Sequence, residues 1–90
     1  MKYAIIEDEQ IAMQNLDQMI RQLRPHYQKI FQTDTAEETI KSLMSDLKPD
    51  LLFMDIELSD ANCFTIFEKV DVKVPIIFTT ACDEYARLSR

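Results

Sequence analysis

The stretch KPDLLFMDIELSD, Lys48 to Asp60, decides the fold. Within it Leu51-Leu52-Phe53-Met54 is a continuous apolar run. A run without polar alternation is the mark of a strand buried on both faces, as in a parallel sheet. It stops abruptly at Asp55. A merely structural carboxylate is costly at the end of such a run, so Asp55 is the first candidate for chemistry.

Working back toward the N-terminus, Pro49 closes an amphipathic stretch in which Ala36, Ile40, Leu43, Met44 and Leu47 fall at helical spacing. Thr35-Ala36-Glu37-Glu38 fits the S/T-x-x-E capping box at its start. Tyr27 to Phe31 interleaves polar and apolar residues and reads as a weaker strand at a sheet edge. From Gln10 to Arg24, Ala12, Leu16, Met19, Ile20 and Leu23 form one helical stripe that Pro25 stops. Tyr3 to Ile6 reads as a first strand, ending in Glu7-Asp8-Glu9. On the other side of Asp55, a short helix is predicted over about Asn62 to Val70, with Phe64, Phe67 and Val70 inward. Pro75 to Thr80 reads as a fourth strand. Strands alternating with helices at this spacing predict a doubly wound α/β fold, a parallel sheet with helices on both faces.

A chain of 90 residues, 47% hydrophobic and 29% charged, fits one soluble domain of modest stability. The net charge of -6 argues against this segment itself gripping nucleic acid or anionic lipid. No apolar run approaches the roughly 20 residues of a membrane span. Met1 to Ile6 lacks the basic start and cleavage site of a signal peptide, so a cytoplasmic location is expected. Cys63 and Cys82 show no CxxC spacing and His26 is the sole histidine, which excludes a zinc site. Glycine is absent, where average usage predicts about six. Tight turns must therefore avoid positive φ or place Asn or Asp there.

Ligands of open parallel sheets bind where strands end at their carboxyl edge. The first strand delivers Glu7 and Asp8 there, the third Asp55 and the fourth Thr80. Crowded carboxylates raise one another's pKa unless a cation intervenes, and an oxygen-only set suits Mg²⁺. A carboxylate beside Mg²⁺ can attack a phosphoryl group to form an acyl phosphate, and a hydroxyl can orient one phosphoryl oxygen. The register of the fourth strand decides whether Thr80 or Thr79 supplies that hydroxyl.

The motifs IIEDE (Ile5 to Glu9), KPDLLFMDIELSD and PIIFTTA (Pro75 to Ala81) together resemble, in order and spacing, those of response-regulator receiver domains. The resemblance implies a flavodoxin-like fold with strand order 2-1-3-4. It implies that Glu7 and Asp8 hold Mg²⁺, that Asp55 accepts the phosphoryl group, and that Glu57 offers its backbone carbonyl to the metal. Thr80, directly before Ala81, takes the place of the switch hydroxyl. The tail CDEYA (Cys82 to Ala86) resembles receivers that precede a LytTR-type DNA-binding domain.

Receivers carry a fifth strand ending in Lys-Pro and a last helix, which these 90 residues do not contain. Residues 1–90 are therefore expected to be one receiver domain, incomplete at its C-terminus, with any output domain beyond. Ser59 stands where proline is common, and Cys63 where glycine usually turns the chain into the third helix. Either Asn62 absorbs that backbone geometry, or the loop takes another path.

The expected function is phosphoryl acceptance from a sensor histidine kinase, with transcription controlled through an output domain, rather than enzymatic turnover. DNA would be met only through that output domain. A second reading is an interaction module that no longer switches, dimerising through the open edge of the fourth strand. A third is a haloacid-dehalogenase-like phosphohydrolase, because Asp55-Ile56-Glu57 resembles an Asp-x-acid nucleophile motif. Against it, that nucleophile normally ends the first strand.

Overall fold

The computed structural model describes residues 1–79. Four strands, β1 (Lys2–Ile6), β2 (Gln28–Thr33), β3 (Leu51–Met54) and β4 (Ile76–Phe78), alternate with helices α1 (Gln10–Leu23), α2 (Ala36–Met44) and α3 (Cys63–Lys69). All strand pairs are parallel and the sheet order is β2-β1-β3-β4, the doubly wound arrangement expected from the sequence.

The central position of β1 follows from its composition. Tyr3 to Ile6 are all buried, and their alternate side chains serve two separate cores. Tyr3 and Ile5 pack with Ile20, Met13 and Leu16 of α1. Ala4 and Ile6 join Leu52 and Met54 of β3 under Ala36 of α2 and Cys63 and Ile66 of α3. One helix thus covers one face and two cover the other, and a one-residue slip of β1 would exchange the two sets.

Local signals set the element ends. Thr35 caps α2 as its motif predicts, its hydroxyl accepting from the Glu38 amide at 3.1 Å. Helix α2 stops at Met44, before Pro49, because the Ser45 amide turns back to the Ser42 carbonyl at 3.3 Å. Met44 and Leu47 are consequently exposed rather than part of the stripe. In α3 Cys63 and Ile66 are fully buried and Phe67 packs against the same core, as expected of it, whereas Phe64 is 53% exposed and does not face inward. Met19 and Leu23 of α1 also lie exposed.

Among the described residues no φ is positive. Asn62 does not take up a left-handed turn. It has φ −86° and ψ 169°, and its side chain caps α3 by accepting from the Phe64 amide at 3.1 Å. The loop takes another path, closing through an antiparallel bridge between Glu57 and Asn62.

Candidate functional site

Parallel register assembles the site. Ile6 pairs with Met54, and Met54 with Phe78. The next residues, Glu7, Asp55 and Thr79, therefore leave three adjacent strands at the same level of the carboxyl edge. Main-chain bonds hold them there: the Glu7 amide to the Thr33 carbonyl (3.0 Å), Asp55 to Ile6 (2.8 Å) and Thr79 to Met54 (2.9 Å).

Carboxylate oxygens of Glu7, Asp8 and Asp55 all lie within 4.8 Å of one another. Glu7 is buried, Asp55 half-buried and Asp8 exposed. Glu7 Oε1 accepts from the Glu9 amide at 3.1 Å and Oε2 from the Thr79 hydroxyl at 3.3 Å. The Glu57 amide donates to Asp55 Oδ1 at 3.4 Å. Glu9 is the N-cap of α1 but makes no capping bond with its side chain.

Burial pushes the Glu7 carboxyl up to about 7, and the negative charge of Asp55 adds to the rise. The bonds from Glu9 and Thr79 hold it down only in part. Burial also raises Asp55, with the charge of Asp8 adding to the effect, against hydrogen bonds from Glu7 and Glu57. The two acids share too few positive partners to be fully ionised together near neutrality. An oxygen-only set with unbalanced negative charge is the chemistry of a hard divalent cation site, and Glu7, Asp8 and Asp55 fit one. Beside it a cleft of about 330 Å³ is lined by Glu7, Asp8, Gln10, Met13, Gln32, Thr33 and Asp34.

Sequence reasoning named Glu7, Asp8 and Asp55, and the structure brings all three together. Thr80 and the CDEYA tail lie outside the described residues. Thr79, the alternative from a shifted register, is the described hydroxyl that touches the acids. Asp34 of the cleft went unremarked in the sequence. Its signal was position, since it directly follows a strand neighbouring the one that ends at Glu7. Cys63 lies buried behind the site, and burial pushes its thiol up, Asp55 adding its charge.

No helix among the described residues is long and apolar enough to cross a membrane. Comparison with known proteins agrees with the geometry. Residues 4–90 match the family model described as response regulator receiver domain. The sensory transduction protein LytT of Enterococcus faecalis is 37% identical over 89 residues, covering 96% of this chain and 36% of that protein. LytT of Bacillus anthracis is 34% identical, with 96% and 35% covered. This chain spans about a third of the length of the curated relatives it matches. The crystal structure of the response regulator PhyR from Brucella abortus superposes with a TM-score of 0.76 at 28% identity, covering 93% of this chain and 35% of that one. A parallel sheet in the order β2-β1-β3-β4, three acids at its carboxyl edge and relatives named as sensory transduction proteins converge, and the chain belongs to the response regulator receiver family.

Proposed function

We propose that Asp55 accepts a phosphoryl group from the phosphohistidine of a sensor kinase, in a pocket that holds Mg²⁺ through Glu7, Asp8, Asp55 and the backbone carbonyl of Glu57. The observation that carries this reading is the convergence of three carboxylates within 4.8 Å at the end of the central strands. When bound, the cation would offset charge on the acids and on the phosphoryl oxygens.

The chain's own residues do the rest. One oxygen of the ionised Asp55 forms the new bond to phosphorus as the bond from phosphorus to the donor nitrogen breaks. The Glu57 amide, on Asp55 Oδ1, restricts rotation of that carboxylate. The Thr79 hydroxyl and Glu9 amide keep Glu7 turned into the pocket. Thr80 takes the switch-hydroxyl role by its place in the motif, drawn toward the phosphoryl group after transfer. In this reading residues 1–90 belong to a receiver that is cytoplasmic and acts on transcription through a DNA-binding output domain. The names of the LytT relatives, and their nearly threefold greater length, support it.

Acetyl phosphate with Mg²⁺, followed by intact-mass measurement, tests the acceptor. A gain of one phosphoryl group is expected, and none for Asp55→Asn; an equal gain in the variant would overturn the assignment. A phosphohydrolase gains no support, since Asp55 follows the third strand and not the first.

A further inference from the structure

The loop from Asp55 to Asn62 is tied at its base in several places. The Cys63 amide donates to the Ile56 carbonyl at 2.7 Å, the Leu58 amide to Ala61 at 2.9 Å, and Glu57 bridges Asn62. Leu58 is buried in the core beneath. At its far end, Asp60 reaches a different element altogether. Its Oδ1 accepts from the Ala36 amide at 2.7 Å and its Oδ2 from the Glu37 amide at 3.1 Å, across 24 and 23 residues of sequence.

These are the first two amides of α2, which lack partners within the helix. Thr35 already serves the third residue, Glu38, so the helix start is satisfied jointly by its own cap and by a carboxylate from another loop. The bonds from Ala36 and Glu37 hold the Asp60 carboxyl below its usual value, so it stays ionised and the contact charge-assisted. A bidentate grip fixes orientation as well as distance.

We propose that Asp60 is a positioning residue for the phosphoryl site, locking the loop against α2 so that the Glu57 amide stays on Asp55 Oδ1. The chain of contacts is continuous: α2 amides to Asp60, the bridged loop from Asn62 to Glu57, and the Glu57 amide to Asp55. Freeing Asp60 releases the loop tip, widens the range of Asp55 rotamers, and weakens the cation set of which Asp55 is a member. This inference rests on the reading of Glu7, Asp8 and Asp55 as a Mg²⁺ and phosphoryl site.

The experiment compares wild type, Asp60→Ala, Asp60→Asn and Thr35→Ala in the full chain. Mg²⁺ affinity is read by calorimetry, phosphorylation by acetyl phosphate by intact mass, and folding by circular dichroism. Thr35→Ala weakens the same helix start without touching the loop, so it controls for loss of stability. Asp60→Ala is expected to weaken Mg²⁺ roughly tenfold, the low end for groups that orient metal ligands, and to slow phosphorylation at saturating Mg²⁺. Asp60→Asn, which keeps its shape and one good acceptor, is expected to show a smaller loss in the same direction and covers the case in which the alanine variant does not fold. Thr35→Ala is expected to keep the wild-type affinity. Equal Mg²⁺ affinity in wild type and the Asp60 variants, or an equal loss in Thr35→Ala, would overturn the positioning role. A wild type that binds no Mg²⁺ would instead overturn the underlying site.

Discussion

Thr79 donates its hydroxyl to Glu7 Oε2 at 3.3 Å, joining two residues 72 positions apart at the ends of strands that are not neighbours in the sheet. Strand β3 lies between them and carries Asp55 at the same level. The contact favours the ionised form of Glu7.

Thr79→Val keeps the shape and removes that donor. The fold is expected to lose about 1 kcal/mol, the usual net worth of such a bond. Glu7 is expected to titrate higher, so Mg²⁺ affinity falls at neutral pH and recovers in alkali. Calorimetry at about pH 7 and about pH 9 checks this.

The Glu7 carboxyl, raised from its ordinary value to about 7, makes both stability and binding depend on pH. A carboxyl whose folded pKa lies above its unfolded value contributes stability that is complete below the unfolded value. That contribution is lost as pH rises through about 7. Without cation, the unfolding free energy from urea titration should fall between about pH 5 and pH 8, by no more than about 3 kcal/mol. Mg²⁺ binding has the opposite slope, because the proton on Glu7 competes with it: affinity rises up to about pH 7 and then levels. Urea titrations with EDTA and with Mg²⁺ separate the two.

Asp55→Asn removes one of three crowded charges while leaving an acceptor for the Glu57 amide. The cation-free fold should gain about 1 kcal/mol near pH 8. The stabilisation that Mg²⁺ gives the wild type should largely vanish. Melting curves with and without Mg²⁺ check both.

Far from the site, Asp17 accepts from the Tyr3 hydroxyl at 2.9 Å and from Lys29 at 3.3 Å, and pairs with Arg21 at 3.2 Å. Partial burial works against its charge, but these partners outweigh burial and hold its carboxyl below the usual value. Its contribution is therefore present above the unfolded pKa and lost as pH falls through the folded one. Asp17→Ala should cost about 1–3 kcal/mol, because the hydroxyl of the buried Tyr3 loses its acceptor. It should also flatten the acid limb of the stability curve. Urea unfolding from about pH 3 to pH 7 checks it.

The strands and the acids were legible because each rests on local pattern: apolar runs, and carboxylates where those runs stop. Strand order and the meeting of Glu7, Asp8 and Asp55 followed from the resemblance and from the parallel rule. Of the inward face expected for α3, Phe67 reaches the core but Phe64 does not, because seven residues give barely two turns and Phe64 outweighs Cys63 as a hydrophobic signal. Helix α2 looked longer than it is because Met44 and Leu47 kept the spacing after Ser45 had ended the hydrogen bonding. The grip of Asp60 on Ala36 and Glu37 spans the sequence at long range, where no local pattern points.

The backbone holds no residue at positive φ among those described, and the chain holds no glycine. Every turn among the described residues is thus built from conformations open to any L-residue, and none depends on a residue that lacks a side chain. The unfolded chain is correspondingly stiffer, and each glycine it forgoes spares about 0.4–1 kcal/mol of conformational entropy on folding. A domain with a small core therefore starts from a narrower ensemble. Its loops should tolerate alanine scanning unusually well, with losses only where a named side-chain contact is removed.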